Sequence, residues 1–155
     1  RAGLRLPMRR LSRQAVAEAR ALIRKHPGPK WSDSAKTSVD WDWDYAIGVL
    51  DLKRLQDRDP CLDYEIQAFR IGDVALVTLK GEPFVQAQLQ IKRESPAPYT
   101  FVAHFCNGYA GYLPTEEAFS RGGYETRTSN GSKFRPDALQ IITARAGKLL
   151  RRLFP

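Results

Sequence analysis

Val74 to Cys106 reads VALVTL-KGEP-FVQAQLQIKRES-PAP-YTFVAHFC, and these residues decide the fold. Val74 to Leu79 is almost continuously apolar, the pattern of a strand covered on both faces. Lys80-Gly81-Glu82-Pro83 leaves that strand and opens a helix, with Pro83 suited to a first helical position. Val85, Leu89 and Ile91 give this helix a partly apolar face. Pro96-Ala97-Pro98 ends it, and Tyr99 to Cys106 reads as a further strand. Strand, short helix and strand form a βαβ unit, whose two strands run parallel through a right-handed crossover.

Before this unit, Leu62, Tyr64, Ile66 and Ala68 alternate with Asp63, Glu65 and Gln67, as in a strand with one wet face. Ile71-Gly72-Asp73 turns this strand back, antiparallel, onto Val74–Leu79. Ser12 caps a helix through Ala15, Val16, Ala19, Leu22 and Ile23, which His26-Pro27-Gly28-Pro29 terminates. A second helix runs from Trp41 to about Leu55, and a last one starts near Pro136 and carries Leu139, Ile142, Leu149 and Leu153. Arg127 to Lys133, rich in Thr, Ser, Asn and Gly, reads as a flexible loop. The expected fold is mixed α/β (α+β): a mixed sheet with a βαβ unit and an antiparallel hairpin, helices packed on it.

The chain has 155 residues, enough for one domain or domain fragment with a real core. Hydrophobic residues make up 43% and charged residues 27%, which excludes a disordered tail. No apolar run approaches membrane-spanning length. The first residues, Arg-Ala-Gly-Leu-Arg-Leu-Pro-Met, lack an initiator Met and an apolar leader, so upstream sequence is expected. The formal charge of +8 concentrates at Arg5, Arg9, Arg10 and Arg13 and at Arg145, Lys148, Arg151 and Arg152. Solvated helix faces explain such clusters. The alternative is a non-catalytic basic binding module contacting anionic membrane or nucleic acid, although no nucleic-acid motif is present. Cys61 and Cys106 supply neither a disulfide framework nor a CxxC motif. With Val74–Leu79 as the middle strand they stand two strand spacings apart, about 10 Å, too far for a disulfide.

Parallel strands end at one edge of a sheet, where open α/β sheets bind ligands. Glu82 follows the first strand there, and Asn107-Gly108-Tyr109-Ala110-Gly111-Tyr112 follows the second. Glu82 can be a solvated carboxylate at a helix N-terminus, and Tyr109 and Tyr112 can be aromatic staples on the core. Spacing alone leaves both readings open.

A longer pattern bears on the choice: Ile71-Gly-Asp-Val-Ala-Leu-Val77, Gly81-Glu82, Asn107-Gly-Tyr109-Ala-Gly-Tyr112-Leu-Pro-Thr115-Glu-Glu117-Ala-Phe119, and Gly123-Tyr124-Glu125. In this order the elements resemble the neutral, non-lysosomal ceramidase family over roughly Glu65 to Thr126. The resemblance implies the C-terminal part of the family's catalytic domain, a hydrolase cleaving the N-acyl amide of ceramide-like lipids to a sphingoid base and a fatty acid. It implies zinc as cofactor, with Glu82 and Tyr112 as metal ligands and two histidines from upstream sequence completing the site. Tyr112 and Tyr124 are the implied catalytic residues, Tyr124 standing near the scissile amide. The implied partners are the N-terminal part of the same enzyme, a lipid amide and a membrane surface, with no nucleic acid. A secreted or periplasmic location goes with the family, and the chain alone is expected to be inactive. The family's histidine pair is absent here, and the Gly-Tyr-Ala-Gly-Tyr form departs from the animal enzymes.

Zinc accepts carboxylate oxygen and tolerates phenolate, so these residue types suit the implied chemistry. Three lesser features have plainer explanations. His104, Cys106 and Glu82 can be drawn as a self-contained metal site, but a strand histidine is more often a satisfied core residue. Asp40, Asp42 and Asp44 mimic an EF-hand start, yet Tyr45 replaces the required Gly, and acidic residues entering a helix explain them. Trp31, Trp41 and Trp43 are either a lipid-contacting surface or anchors in the core.

Overall fold

In a computed structural model, which describes residues 1–155, the alternating segment at the middle of the chain becomes an eleven-residue strand, Cys61–Ile71 (β2). Gly72 and Asp73 turn it into Val74–Thr78 (β3), paired antiparallel from Gln67↔Thr78 to Ile71↔Val74. Tyr99–Ala103 (β5) lies parallel on the other side of β3, from Val74↔Tyr99 to Thr78↔Ala103. The helix between them, Val85–Arg93 (α3), makes the crossover that the sequence implies. An additional strand, Ala2–Pro7 (β1), pairs antiparallel with β2, giving the order β1-β2-β3-β5.

One face of this sheet builds the core. Tyr64, Ile66, Ala75, Val77 and Leu79 pack against Ile142, Ala146 and Leu150 of the last helix, Ala138–Leu153, and against Ala87 and Ile91 of α3. The apolar face expected on α3 is corrected in part: Ile91 is buried as expected, but Val85 and Leu89 face outward and Ala87, one turn before Ile91, takes the inner position. The opposite face of the sheet is not covered within this chain. Its rows Phe69–Leu76–Phe101 and Ile71–Val74–Tyr99 follow from the register, with Phe101 57% exposed.

A smaller cluster joins Arg13–Lys25 (α1) to Trp41–Arg58 (α2) through Val16, Ala19, Ala46 and Val49. Ser12 caps α1 by accepting from the Ala15 amide, and Asp40 caps α2 by accepting from Trp43. Asp40 also pairs with Lys30 at 2.7 Å, so the acidic run is a helix entry. Both cysteines are free. Cys61 is opposite Pro7 of β1, six residues before the Gln67 that faces the end of β3, so its expected position beside that strand end is corrected.

Candidate active site

Beyond the end of β3 the chain does not enter a helix directly. Glu82–Pro83 (β4) and Tyr112–Leu113 (β6) form a two-residue parallel ladder with Glu82↔Tyr112 and Pro83↔Leu113 as register partners. Its bonds run from the Glu82 amide to the Gly111 carbonyl, 2.9 Å, and from the Phe84 amide to the Leu113 carbonyl, 3.0 Å. Pro83 falls at the intervening position, where a parallel strand donates nothing to this neighbour, so its missing N–H is harmless. The expected first-turn role of Pro83 is corrected accordingly. Register partners of a parallel ladder present their side chains on the same face, so Glu82 and Tyr112 are neighbours by construction.

Two glycines permit this approach. A Cβ on Gly81 would come within 2.3 Å of the Gly111 carbonyl oxygen, and one on Gly111 within 2.4 Å of the Gly131 carbonyl oxygen. Both have positive φ, +68° and +79°, a conformation that L side chains avoid. The Tyr112 amide completes the junction by donating to the Gly131 carbonyl at 2.8 Å. The segment expected to be flexible is thus held on both sides: Asn130 donates to the Gly48 carbonyl of α2, and Ser132 and Lys133 are buried.

Four aromatic residues gather over the ladder. The Tyr109 hydroxyl donates to Glu82 Oε1 at 3.3 Å, and the Tyr112 and Tyr124 hydroxyls lie 3.5 Å apart, their rings edge to face. Tyr124, in a single 3-10 turn from Tyr124 to Thr126, meets the Trp41 ring at 6.2 Å. Tyr109, Tyr112, Tyr124, Trp41 and Tyr45 line a cavity of about 400 Å³ between the ladder and α2. Glu82 is not in its lining; it reaches this wall through Tyr109. The hydrogen bond with Tyr124, then burial and the charge of Glu82, push the Tyr112 phenol pKa up. Burial and the Glu82 carboxylate push Tyr109 up as well. Glu82 itself forms no ion pair and has the Tyr109 hydroxyl as its side-chain partner.

Other sequence candidates separate. β5 ends at Ala103, and Phe105 and Asn107 adopt positive φ, so His104 and Cys106 stand in a loop rather than on one strand face. No three His, Cys, Asp or Glu side chains come together as a metal group. Trp43 is an anchor, its Nε1 donating to the His26 carbonyl, whereas Trp41 is 70% exposed at the cavity mouth. Among the basic residues, Arg5 pairs with Asp59 and Asp63, and Arg9 donates to the Thr126 and Ser132 carbonyls over the Phe119 ring. Both therefore serve the fold. The sequence reading missed Lys133, which resembles any loop lysine until its burial is seen.

The molecule is thus a mixed α/β unit with a carboxylate–phenol pair built at the end of its parallel strands. No family model and no curated protein matches the chain. Among solved structures it is similar to a ceramidase complexed with C2, at 25% identity and TM-score 0.48, over 62% of this chain and 16% of that one. It is also similar to the neutral ceramidase from Pseudomonas aeruginosa, at 27% identity and TM-score 0.44, over 60% of this chain and 16% of that one. The matched region thus spans about a sixth of each ceramidase chain.

Proposed function

We propose that this chain is the C-terminal part of a zinc-dependent amidase of the neutral-ceramidase kind, in which Glu82 and Tyr112 hold the metal and Tyr124 serves the scissile amide. The observation that carries this reading is the Glu82↔Tyr112 register, with the Tyr124 hydroxyl 3.5 Å from that of Tyr112. The residues in this arrangement are the ones to which the sequence resemblance assigns those roles. The donor set fits the metal: an un-ion-paired carboxylate beside a phenol offers two oxygens of the kind zinc accepts. The two remaining protein ligands are assigned to histidines of upstream sequence, with no part for His26 or His104.

Zinc, when bound, supplies Lewis acidity that polarises an amide carbonyl and eases deprotonation of water. The Tyr124 hydroxyl donates a hydrogen bond to the carbonyl oxygen as negative charge develops there, and keeps its proton. Tyr109 fixes Glu82 Oε1 by hydrogen bonding, so that the carboxylate is oriented before ligation. Trp41 presents an exposed aromatic surface for the hydrocarbon part of an N-acyl lipid, beside polar lining residues that include Asp44, Asp51 and Arg127. The substrate class is the amide of a ceramide-like lipid, the products a sphingoid base and a fatty acid, and the location secreted or periplasmic.

The test compares the full-length polypeptide, including upstream sequence, with the 155-residue chain on a fluorogenic N-acyl sphingoid amide. Chelator-sensitive hydrolysis by the first and none by the second is expected, since two ligands leave the metal site half filled. Hydrolysis by the short chain, or full activity of the long one after Glu82→Gln, overturns the assignment.

A further inference from the structure

The ammonium of Lys133 is the most deeply buried cation of the chain, with the residue 3% exposed and no carboxylate paired to it. Its Nζ donates to the Ala110 carbonyl at 2.8 Å and stands 5.8 Å from the centre of the Tyr109 ring and 5.9 Å from that of Phe134. Burying a charged amine without a counter-ion is unfavourable, and the strain shows as a pKa pushed down to about 8 by desolvation. A lysine whose only task were to fill space would be better replaced by Met or Leu.

What the ammonium touches explains its presence. Ala110 and Tyr109 lie in the turn that delivers Gly111 and Tyr112 to the ladder, and Tyr109 is the residue bonded to Glu82. From the other side the Gly131 carbonyl accepts the Tyr112 amide. We propose that Lys133 is a positioning residue: its ammonium, bound to the Ala110 carbonyl and facing the Tyr109 ring, sets where Tyr109 and Tyr112 stand relative to Glu82. Its catalytic consequence rests on the amidase reading above; its effect on the ladder does not.

The test uses Lys133→Met, which keeps the length and burial without the donor, and Lys133→Gln, which keeps a neutral donor. Amide hydrogen exchange at Tyr112, Glu82 and Phe84 is read in the 155-residue chain; zinc affinity, kcat and KM are read in the full-length polypeptide. Lys133→Met should exchange at least about tenfold faster at these amides while β3 and β5 stay protected, and kcat should fall by about 10- to 100-fold with KM little changed, as when the support of a metal ligand is lost. Lys133→Gln should recover part of both. Unchanged exchange in Lys133→Met, or a uniform loss of protection that includes β3 and β5, overturns the proposal. Should Lys133→Met not fold, Lys133→Gln is held to the same criteria with an intermediate effect expected. Should the full-length wild type bind no zinc, the amidase reading fails, and the exchange data still decide the role of Lys133.

Discussion

The chain contains two parallel ladders, and they are stabilised in different ways. Between β3 and β5, five register pairs join β5 to a strand whose inner residues, Ala75 and Val77, are fully buried. Between β4 and β6 there are two pairs, flanked by glycines whose backbones nearly touch and backed by one buried ammonium. The first ladder is held by apolar burial, a non-directional force that tolerates many residues of similar size. The second depends on backbone clearance and individually placed hydrogen bonds, which tolerate few changes. Function is assigned to the second because a site needs fixed geometry, and the first supplies the rigid base for it.

The largest contrast should come from one substitution in each ladder. Gly111→Ala should destabilise the chain by about 3 kcal/mol or more, combining the positive-φ penalty with a backbone collision, and should destroy the Glu82–Tyr112 register. Val77→Ala should cost about 2 kcal/mol through lost burial and a small cavity, leaving that register intact. Urea unfolding measures the energies, and exchange at the Tyr112 amide separates local from global damage. Equal local damage from both variants would mean that the two ladders are not distinct.

A smaller effect is expected at Tyr124. In the full-length polypeptide Tyr124→Phe should lower kcat about a hundredfold, equivalent to about 2.7 kcal/mol, while metal content is retained. Loss of zinc with full recovery of rate on adding metal back would assign Tyr124 to the metal rather than to the carbonyl.

The smallest effect concerns pH. Folded Lys133 loses its proton near 8, whereas in the unfolded chain it holds it to about 10.4. Between these values the unfolded state binds more protons, so stability should rise with pH from about 8 to about 10, on the order of 2 kcal/mol. Above about pH 10, Tyr64, whose phenol is pushed up by burial, acts in the opposite direction. Urea midpoints at pH 7.5 and 10 should show the rise in the wild type and its loss in Lys133→Met. A rise of the same size in both would assign it to another group.

The same contrast explains what the sequence made legible. Period-two alternation along Leu62–Ala68 and the apolar run from Val74 report burial directly, so the hairpin, the crossover and the middle position of β3 could be read. Strand β1 escaped because Arg5, Arg9 and Arg10 gave its segment the look of a solvated terminus, although Ala2, Leu4 and Leu6 alternate with Gly3 and Arg5. Strand β4 escaped because Gly-Glu-Pro before a helical stretch is the usual signal for a helix start. Only the partner strand, thirty residues later, reveals that Pro83 occupies a non-donating slot. That Glu82 and Tyr112 stand at one sheet edge was anticipated from the order of the strands; their register in a ladder of their own was not. Lys133 had no local signal, since a lysine in a Ser-Asn-Gly-Ser context reads as solvated until the fold closes over it.

Glu82 and Tyr112 are proposed to act together as metal ligands. Equilibrium zinc binding to the full-length polypeptide, measured for the wild type, Glu82→Gln, Tyr112→Phe and the double variant, tests it most directly. One zinc per chain in the wild type is predicted, with affinity at least about a hundredfold weaker in each single variant and weaker still in the double variant, because metal affinity depends on ligand identity and count. Wild-type affinity in the double variant would show that neither residue holds the metal.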